Sequence, residues 1–252
     1  MTNQIYCGDC VEVIKGFPDE CIDLTVTSPP YDKLRTYNGY EFRFEETAQE
    51  LYRVTKPGGV VVWVVNDATV KGSETGTSFR QALYFKEIGF NLHDTMIWNK
   101  GGFTDVGSLK VRYGQVFEYM FILSKGKPET FNPLKDRLNK QPSGRFLKNK
   151  RLADGTMGDV GKYGQRNKYG QRFNIWKLAN TDRNEHPAIF PEKLAEDHII
   201  SWSNPGDTVL DPMCGSGTTC KMAAKNGRQY IGIDISEEYC EIACGRAEVA
   251  NE

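Results

Sequence analysis

The sequence predicts an α/β domain built around a mostly parallel β-sheet. Helix-like and strand-like segments alternate along much of the 252-residue chain, the order typical of a sheet whose strands are joined by helices. Residues 60–65 form a wholly apolar run of strand length, as expected for a strand buried on both faces. A glycine-rich turn at 211–219 separates a strand from a helix, and such turns bind ligands at the carboxyl edge of parallel sheets.

The first half of the chain alternates between predicted strands and predicted helices. Alternating or continuous apolar character places strands at 4–9, 22–27, 60–65, 95–98 and 117–123. Helical spacing of apolar residues places helices at 45–54 and 77–88, each followed by a glycine-containing stop. In the second helix, this spacing predicts an apolar face made of Phe79, Ala82, Leu83 and Ile88.

The second half begins with a segment of different character. Between residues 125 and 180 the apolar periodicity fails, and an irregular insertion is predicted. It contains a short repeat, in which Tyr163-Gly-Gln-Arg is soon followed by Tyr169-Gly-Gln-Arg, too short for a solenoid unit. Regular elements then resume, with helices at 191–202, 218–225 and 236–249 and strands at 208–210 and 230–235. We therefore predict two halves of one α/β domain, 1–126 and 181–252, separated by an inserted segment, 127–180.

Hydropathy and cysteine spacing narrow the class of protein. No run of about 18 apolar residues occurs, so no membrane span is predicted. The first ten residues lack the basic start and apolar core of a secretory signal, and a cytoplasmic location is expected. The seven cysteines have no disulfide-framework spacing and are expected to remain thiols. Cys7 and Cys10 have metal-ligand spacing, but no second pair completes four ligands, so no metal site is predicted.

The net charge of -1 conceals a strong asymmetry. Residues 125–183 contain 15 Lys or Arg and 5 Asp or Glu, whereas the rest of the chain contains 17 basic and 28 acidic residues. A concentrated basic segment is typical of a polyanion contact, although a solvated charged surface is the simpler alternative. The candidate residues for this polyanion contact are Arg145, Lys148, Lys150, Arg151, Arg166 and Arg172.

The glycine-rich turn has the sequence Asp211-Pro-Met-Cys-Gly-Ser-Gly-Thr-Thr, and Asp234 ends the next predicted strand. Glycines allow a ligand to approach the backbone closely, and a helix N-terminus offers unpaired N–H groups to a carboxylate. An acidic residue after the second strand can accept hydrogen bonds from ribose hydroxyls. These features predict a nucleoside-containing cofactor. They disfavour a nicotinamide dinucleotide, because no third glycine follows at the required spacing.

A second motif, Thr27-Ser-Pro-Pro-Tyr, follows the strand at 22–27. Its position would aim the Ser28 oxygen and the Pro29 carbonyl at the crevice that holds the cofactor, where two acceptors can hold one amino group. Pro30 stiffens the turn, and Tyr31 offers an aromatic face to a base extruded from its duplex. Taken alone, the motif could equally be a rigid turn with a packed tyrosine.

These two motifs and the segment Glu185-His-Pro-Ala-Ile-Phe-Pro-Glu-Lys-Leu together resemble the amino-methylating DNA methyltransferases. The catalytic motif precedes the cofactor motif, an order similar to that of the circularly permuted beta group of this family. The resemblance implies a Rossmann-like class I methyltransferase fold with a mixed, mostly parallel, seven-stranded sheet. The permutation implies that the first strand lies beside the last. One departure is Met213, where the family often has Phe.

The resemblance also implies the cofactor and the site residues. The cofactor would be S-adenosylmethionine, with Asp9 at its adenosine moiety and Asp234 at its ribose. The full implied cofactor set is Asp9, Cys10, Thr27, His186, Ala188, Phe190, Asp211, Pro212, Met213, Cys214, Gly215, Ser216, Gly217, Thr218, Asp234 and Ile235. The implied catalytic set is Ser28, Pro29, Pro30 and Tyr31.

The implied reaction is transfer of a methyl group to the exocyclic amine of a flipped base in double-stranded DNA. Ser28 is more similar to the cytosine-N4 branch, and adenine N6 is the alternative. Three rival functions stay open: methylation of an RNA or protein amine, a dinucleotide oxidoreductase, and a DNA-binding protein without activity. Covalent ring-carbon methylation is rejected, because no cysteine stands in a Pro-Cys motif. A homodimer and a cognate restriction endonuclease are the further partners that the resemblance implies.

Overall fold

The computed structural model describes residues 1–30, 42–102, 107–141, 143–179 and 190–250. In chain order, the strands of these ranges are β1 Gln4–Cys7, β2 Ile22–Thr27, β3 Thr55–Val65, β4 Thr69–Val70, β5 Ser73–Glu74, β6 Asn91–Asn99, β7 Phe117–Ser124, β8 Arg137–Leu138, β9 Arg145–Arg151, β10 Met157–Gln165, β11 Tyr169–Gly170, β12 Ile175–Lys177, β13 Thr208–Asp211 and β14 Gln229–Asp234. The α-helices are α1 Cys10–Lys15, α2 Phe44–Val54, α3 Thr77–Glu87, α4 Glu192–Trp202, α5 Thr218–Lys225 and α6 Glu237–Val249.

The main sheet has the strand order β1-β14-β13-β2-β3-β7-β6-β12. The five strands from β1 to β3 are parallel, β7 is antiparallel to both of its neighbours, and β12 is parallel to β6. The predicted mixed, mostly parallel α/β sheet is therefore confirmed. The seven-strand count is wrong by one, because Ile175–Lys177 adds an eighth strand beside β6.

The first strand lies beside the last strand of the chain. Gln4 pairs with Ile231 and Cys7 pairs with Asp234, all in parallel register. This is the pairing that a circularly permuted order predicts. It brings the carboxyl ends of β1 and β14 to the same edge of the sheet as those of β13, β2 and β3.

Alternation along β3 builds one part of the core. Val61, Trp63 and Val65 are buried in a cluster that also contains apolar residues of α1, α2 and α3. The helices themselves pack in two groups, α1 against α2 and α2 against α3 in one, and α4 against α5 and α5 against α6 in the other.

The predicted apolar face of α3 is corrected by the structure. Phe79 and Leu83 are exposed, and the buried residues of the helix are Ser78, Gln81, Ala82 and Phe85. The inward polar residues are satisfied, because the Trp63 indole donates to the Gln81 Oε1 atom at 2.9 Å and the Ser78 backbone N–H donates to Asp67 at 2.9 Å. An apolar pattern could not reveal a face that relies on hydrogen bonds.

Residues 133–173 form a separate compact unit. It contains the antiparallel pair β9–β10, with a register shift between Asp159 and Tyr163, and the short pair β8–β11. The prediction of an irregular segment is therefore wrong for these strands. Their sequences lack an apolar alternation, and the side chains described on β9 are exposed. None of the helices in the described ranges has the length and apolar character needed to cross a bilayer.

Candidate active site

Both predicted motifs lie at the carboxyl edge of the parallel strands. Ser28 directly follows β2, and the glycine-rich turn follows the neighbouring strand β13. Asp234 ends β14, the next strand along, and Asp9 follows β1 at the end of the sheet. The sheet order thus brings together residues that are far apart in sequence, which is how an α/β sheet builds a ligand crevice.

A buried hydrogen bond joins the two motifs. The Thr27 hydroxyl donates to the Asp211 Oδ1 atom at 2.7 Å, and the Met213 backbone N–H donates to the same oxygen at 3.2 Å. Burial raises the pKa of Asp211 to about 6, although hydrogen bonds from Thr27 and Thr219 favour its charged form. This carboxylate therefore fixes the start of the glycine-rich turn against the strand that leads to Ser28.

Two glycines shape the turn itself. Gly215 and Gly217 have φ values of 49° and 79°, in the left-handed region that other residues avoid. A Cβ atom on Gly217 would lie 2.7 Å from the Cβ atom of Ala243, so α6 packs directly against the backbone of the turn. The Asp234 Oδ2 atom accepts the Gly215 N–H at 2.9 Å, and its Oδ1 atom accepts the Ser236 N–H at 2.9 Å.

Ser216, between these glycines, is held by a charged network. The Arg246 Nη1 atom donates to both the carbonyl and the hydroxyl oxygen of Ser216 at 2.8 Å. The Arg246 Nη2 atom donates to Glu192 at 2.9 Å, and Lys221 donates to the same carboxylate at 2.6 Å. The network ties the turn to α6, to α5 and to the first residue of α4.

The residues present fit a cofactor that combines a carboxylate, a ribose and an aromatic ring. The N-terminus of α5 carries no side-chain cap, so its N–H groups can receive a carboxylate. Each oxygen of Asp234 accepts one backbone N–H and keeps a lone pair for a ribose hydroxyl. Ile235 directly follows β14 and is 46% exposed, whereas Ile231 and Ile233 within that strand are fully buried, and Ile235 offers an apolar surface to a ring.

Asp9 occupies the adjoining corner of the crevice. Its Oδ1 atom caps α1 by accepting the N–H groups of Val11 and Glu12 at 3.0 and 3.1 Å, and it also pairs with Arg43. The neighbouring Gly8 N–H donates to the Asp234 carbonyl at 2.8 Å, which brings the two acidic residues to one place. Cys10 is buried inside α1 with its thiol 3.6 Å from the Thr47 hydroxyl.

The remaining site residues are distributed as follows. Ser28 and Pro30 are half-buried, whereas Pro29 is buried. Pro212, Cys214 and Thr218 are buried within the turn, and Phe190 is buried two residues before α4. Three of the residues in the implied sets, Tyr31, His186 and Ala188, lie outside the described residues.

The candidate DNA contacts all belong to the 133–173 unit. Arg145, Lys150 and Arg151 are exposed on β9, and Lys148 lies within the same strand, its side chain outside the described part. Arg166 lies over the Phe146 ring, 5.7 Å from its centroid. Arg172 pairs with Asp136, so part of its charge is already compensated within the unit.

Two arginines of the site have no sequence signature. Arg43 joins Asp9 to the segment that precedes α2, and Arg246 holds Ser216 from α6. For Arg246, the one available signal was its helical spacing, three residues after Ala243 and so on the same face of α6. A basic residue in the last turn of a helix usually has only a local role.

Comparisons with known proteins identify the family of this chain. A family model described as DNA methylase, covering the N6 and N4 enzymes, matches residues 22–244. The orphan methyltransferase M.BamHII of Bacillus amyloliquefaciens is 62% identical over 94% of this chain and 88% of its own. The type II methyltransferase M.ScaI of Streptomyces caespitosus is 30% identical over 97% of this chain and 81% of its own.

Two solved structures share the fold. The cytosine-N4-specific PvuII DNA methyltransferase has a TM-score of 0.71 and 23% identity, covering 96% of this chain and 85% of its own. A putative DNA modification methylase from Thermus thermophilus, solved in complex with S-adenosyl-L-methionine, has a TM-score of 0.67 and 24% identity, covering 98% and 95%. The chain therefore belongs to the N6/N4 DNA methylase family and is an S-adenosylmethionine-dependent DNA methyltransferase.

Proposed function

We propose that this enzyme methylates the N4 atom of cytosine at a specific site in duplex DNA, after the base has been flipped out of the helix. The observation that carries this proposal is the buried bond between Thr27 and Asp211. It fixes the strand that ends at Ser28 against the turn that we assign to the methyl donor. An amine acceptor and the donor site are thereby held in one crevice.

The proposed chemistry is positioning and electrostatics by the chain's own groups. Bound S-adenosylmethionine supplies the methyl group. The exocyclic amine of cytosine is a weak nucleophile, because its lone pair is delocalised into the ring. Hydrogen bonds from its two N–H groups to the Ser28 oxygen and the Pro29 carbonyl would orient it and favour its electron-richer form. Tyr31 would stack on the flipped base, and the proton released after transfer would pass to water.

The choice of cytosine over adenine depends on Ser28. The resemblance places Ser before Pro-Pro-Tyr with the cytosine-N4 branch, and the PvuII enzyme that shares the fold is named cytosine-N4-specific. Both bases present an exocyclic amine beside a ring nitrogen, so hydrogen bonding alone does not separate them. Adenine N6 is the alternative.

Nucleoside mass spectrometry tests the target base. Purified enzyme and labelled S-adenosylmethionine are incubated with duplex DNA, with RNA and with protein in three parallel reactions. The products are then hydrolysed and separated. We expect N4-methylcytosine from DNA and no label in the other two substrates. N6-methyladenine as the sole product would refute the cytosine assignment, and label only in RNA or protein would refute the substrate class.

We assign target recognition to the insertion at 127–180, between the catalytic half at 1–126 and the cofactor-binding half at 181–252. The basic side chains of its compact unit are interleaved with exposed aromatic residues, including Tyr163 and Phe173. Arg137 stacks over Phe173 at 4.2 Å from the ring centroid. Cations beside aromatic faces suit a duplex, where phosphates need charge and base edges need specific contacts.

Salt dependence tests this assignment. Replacing Arg145, Lys150 and Arg151 by Gln should weaken DNA binding and lower the slope of log K against log salt by about 0.9 per lost phosphate contact. A control replaces Lys86 and Lys225, which lie in the last turns of α3 and α5 and so at the edge of the main sheet opposite the crevice. An unchanged slope in the insertion variant, or an equal loss in the control, would contradict the assignment.

The assembly of the enzyme is a separate proposal. M.BamHII is named an orphan methyltransferase, and its 62% identity supports a chain that acts without a paired restriction endonuclease. A homodimer remains a prediction from the family resemblance. Light scattering of the purified chain, with and without a duplex, would measure its mass directly.

A further inference from the structure

Residues 107–116, which lead into β7, display two apolar side chains to solvent. Val111 is 83% exposed and Tyr113 is 98% exposed, the two highest values among the exposed large hydrophobic residues in the described part of the chain. Such exposure removes almost no apolar surface from water, so these side chains do nothing for the stability of the free enzyme. Singly exposed apolar residues are common on protein surfaces, so a role for these two must be argued from how they are held and where they lie.

The segment is pinned in place. Between the two apolar residues, Arg112 turns back and donates to the Thr69 hydroxyl at 3.0 Å and to the Gly72 carbonyl at 2.7 Å. Further along, Gln115 donates to the Asn66 side chain at 2.9 Å. These side-chain bonds hold the residues on both sides of Tyr113, whose own side chain is exposed.

The pinned segment lies at the edge of the sheet that carries Ser28. β7 runs antiparallel to β3, so its start at Phe117 lies at the same edge as the carboxyl ends of β2 and β3. The strand order places β2 and β7 two positions apart, which corresponds to about 10 Å at a strand spacing of nearly 5 Å. A duplex that delivers a base to Ser28 must pass close to this edge.

We propose that residues 107–116 contact the target duplex and that the Tyr113 ring stacks in the space left by the flipped base. This inference rests on the proposed function. Flipping a base costs stacking and pairing free energy and leaves a gap in the duplex. Aromatic and apolar side chains fill or wedge such gaps in other DNA-binding proteins, and Lys110 adds a positive charge to the same segment.

The test compares two duplexes that contain the mapped recognition site. In one, the target base is normally paired; in the other, it faces an abasic position, so that flipping is already easy. Tyr113→Ala should methylate the paired duplex about tenfold more slowly than the wild type, and this loss should largely disappear on the abasic duplex. Tyr113→Phe should retain the wild-type rate on both. Leu83→Ala, which truncates an exposed apolar residue on α3, is the matched control and should behave as the wild type.

Each other result has a defined meaning. A wild-type rate for Tyr113→Ala on the paired duplex, or an equal loss on both duplexes, would overturn the assignment. So would a change in the mass of the DNA-free enzyme, because it would assign Val111 and Tyr113 to a contact between two copies of the chain. If the wild type itself methylates neither duplex, the proposed function fails, whatever the variants do.

Discussion

A methyl group added at Gly217 should destabilise the enzyme for two separable reasons. Alanine at φ 79° is strained by about 1–2 kcal/mol, as at any left-handed position. The new Cβ atom would also lie 2.7 Å from the Ala243 Cβ atom and 2.8 Å from its Cα atom. Overpacking of this kind costs about 1–3 kcal/mol, so the total for Gly217→Ala is roughly 2–5 kcal/mol.

A matched variant isolates the contact with α6. Gly206 has φ 91°, but its added Cβ atom would meet nothing within 4 Å, so Gly206→Ala should incur the strain alone. For a chain of this size, thermal unfolding should show Gly217→Ala melting roughly 2–10 °C below Gly206→Ala. S-adenosylmethionine should raise the Tm of Gly206→Ala as it does that of the wild type, and raise that of Gly217→Ala less. Equal melting temperatures for the two variants would refute the close packing of the turn on α6.

Three further predictions concern the same crevice. Asp234→Ala should lose at least about tenfold in cofactor affinity by calorimetry, because the Gly215 N–H loses its acceptor; a folded variant with wild-type affinity would remove Asp234 from the site. Arg246→Ala should raise the KM for S-adenosylmethionine more than it lowers kcat. Arg246→Lys should show a smaller increase in KM than Arg246→Ala. Arg228→Ala removes a comparable set of bonds at the other edge of the sheet, and an equal KM effect there would argue against a specific role for Arg246. The pKa of Asp211 in the folded protein, about 6, lies above the value of about 3.9 in the unfolded chain. The protonated side chain therefore stabilises the fold, and this stabilisation is fully present below about pH 4 and is lost as the pH rises through 6. Denaturant titrations of Asp211→Asn should therefore show it gaining about 3 kcal/mol relative to the wild type between pH 4 and pH 7, and a pH-independent difference would contradict this.

Most of the fold could be predicted from the sequence, because strands and helices of this class carry strong local patterns of apolar residues, glycine and proline. β2 and α5 match their predicted bounds, since a proline pair ends one and a glycine begins the other. The position of β1 beside β14 came from the order of motifs and from no local signal. β3 begins earlier than predicted, at Thr55, because the Lys56-Pro-Gly-Gly stretch continues the strand across a register irregularity.

The features that could not be predicted from the sequence depend on polar contacts between elements that are far apart in the chain. The buried face of α3 relies on Gln81 and Ser78, whose partners on β3 and just after it cannot be inferred from helical periodicity. Arg246 and Ser216 are 30 residues apart, and neither belongs to a motif that names the other. The antiparallel pair β9–β10 escaped prediction because its strands lack an apolar face.

The pairing of β1 with β14 affects how the chain folds during its synthesis. Asn3 is hydrogen-bonded to Tyr230, 227 residues away, and within the described ranges β1 pairs with one strand only, β14. A ribosome that has released the first strand must synthesise nearly all of the remaining chain before that partner exists. Non-local pairing of this kind slows folding and leaves a strand edge open to other chains in the meantime. Truncated products that stop before residue 229 should therefore aggregate, and chaperone demand during expression should fall when the two segments are placed close together in a rearranged gene.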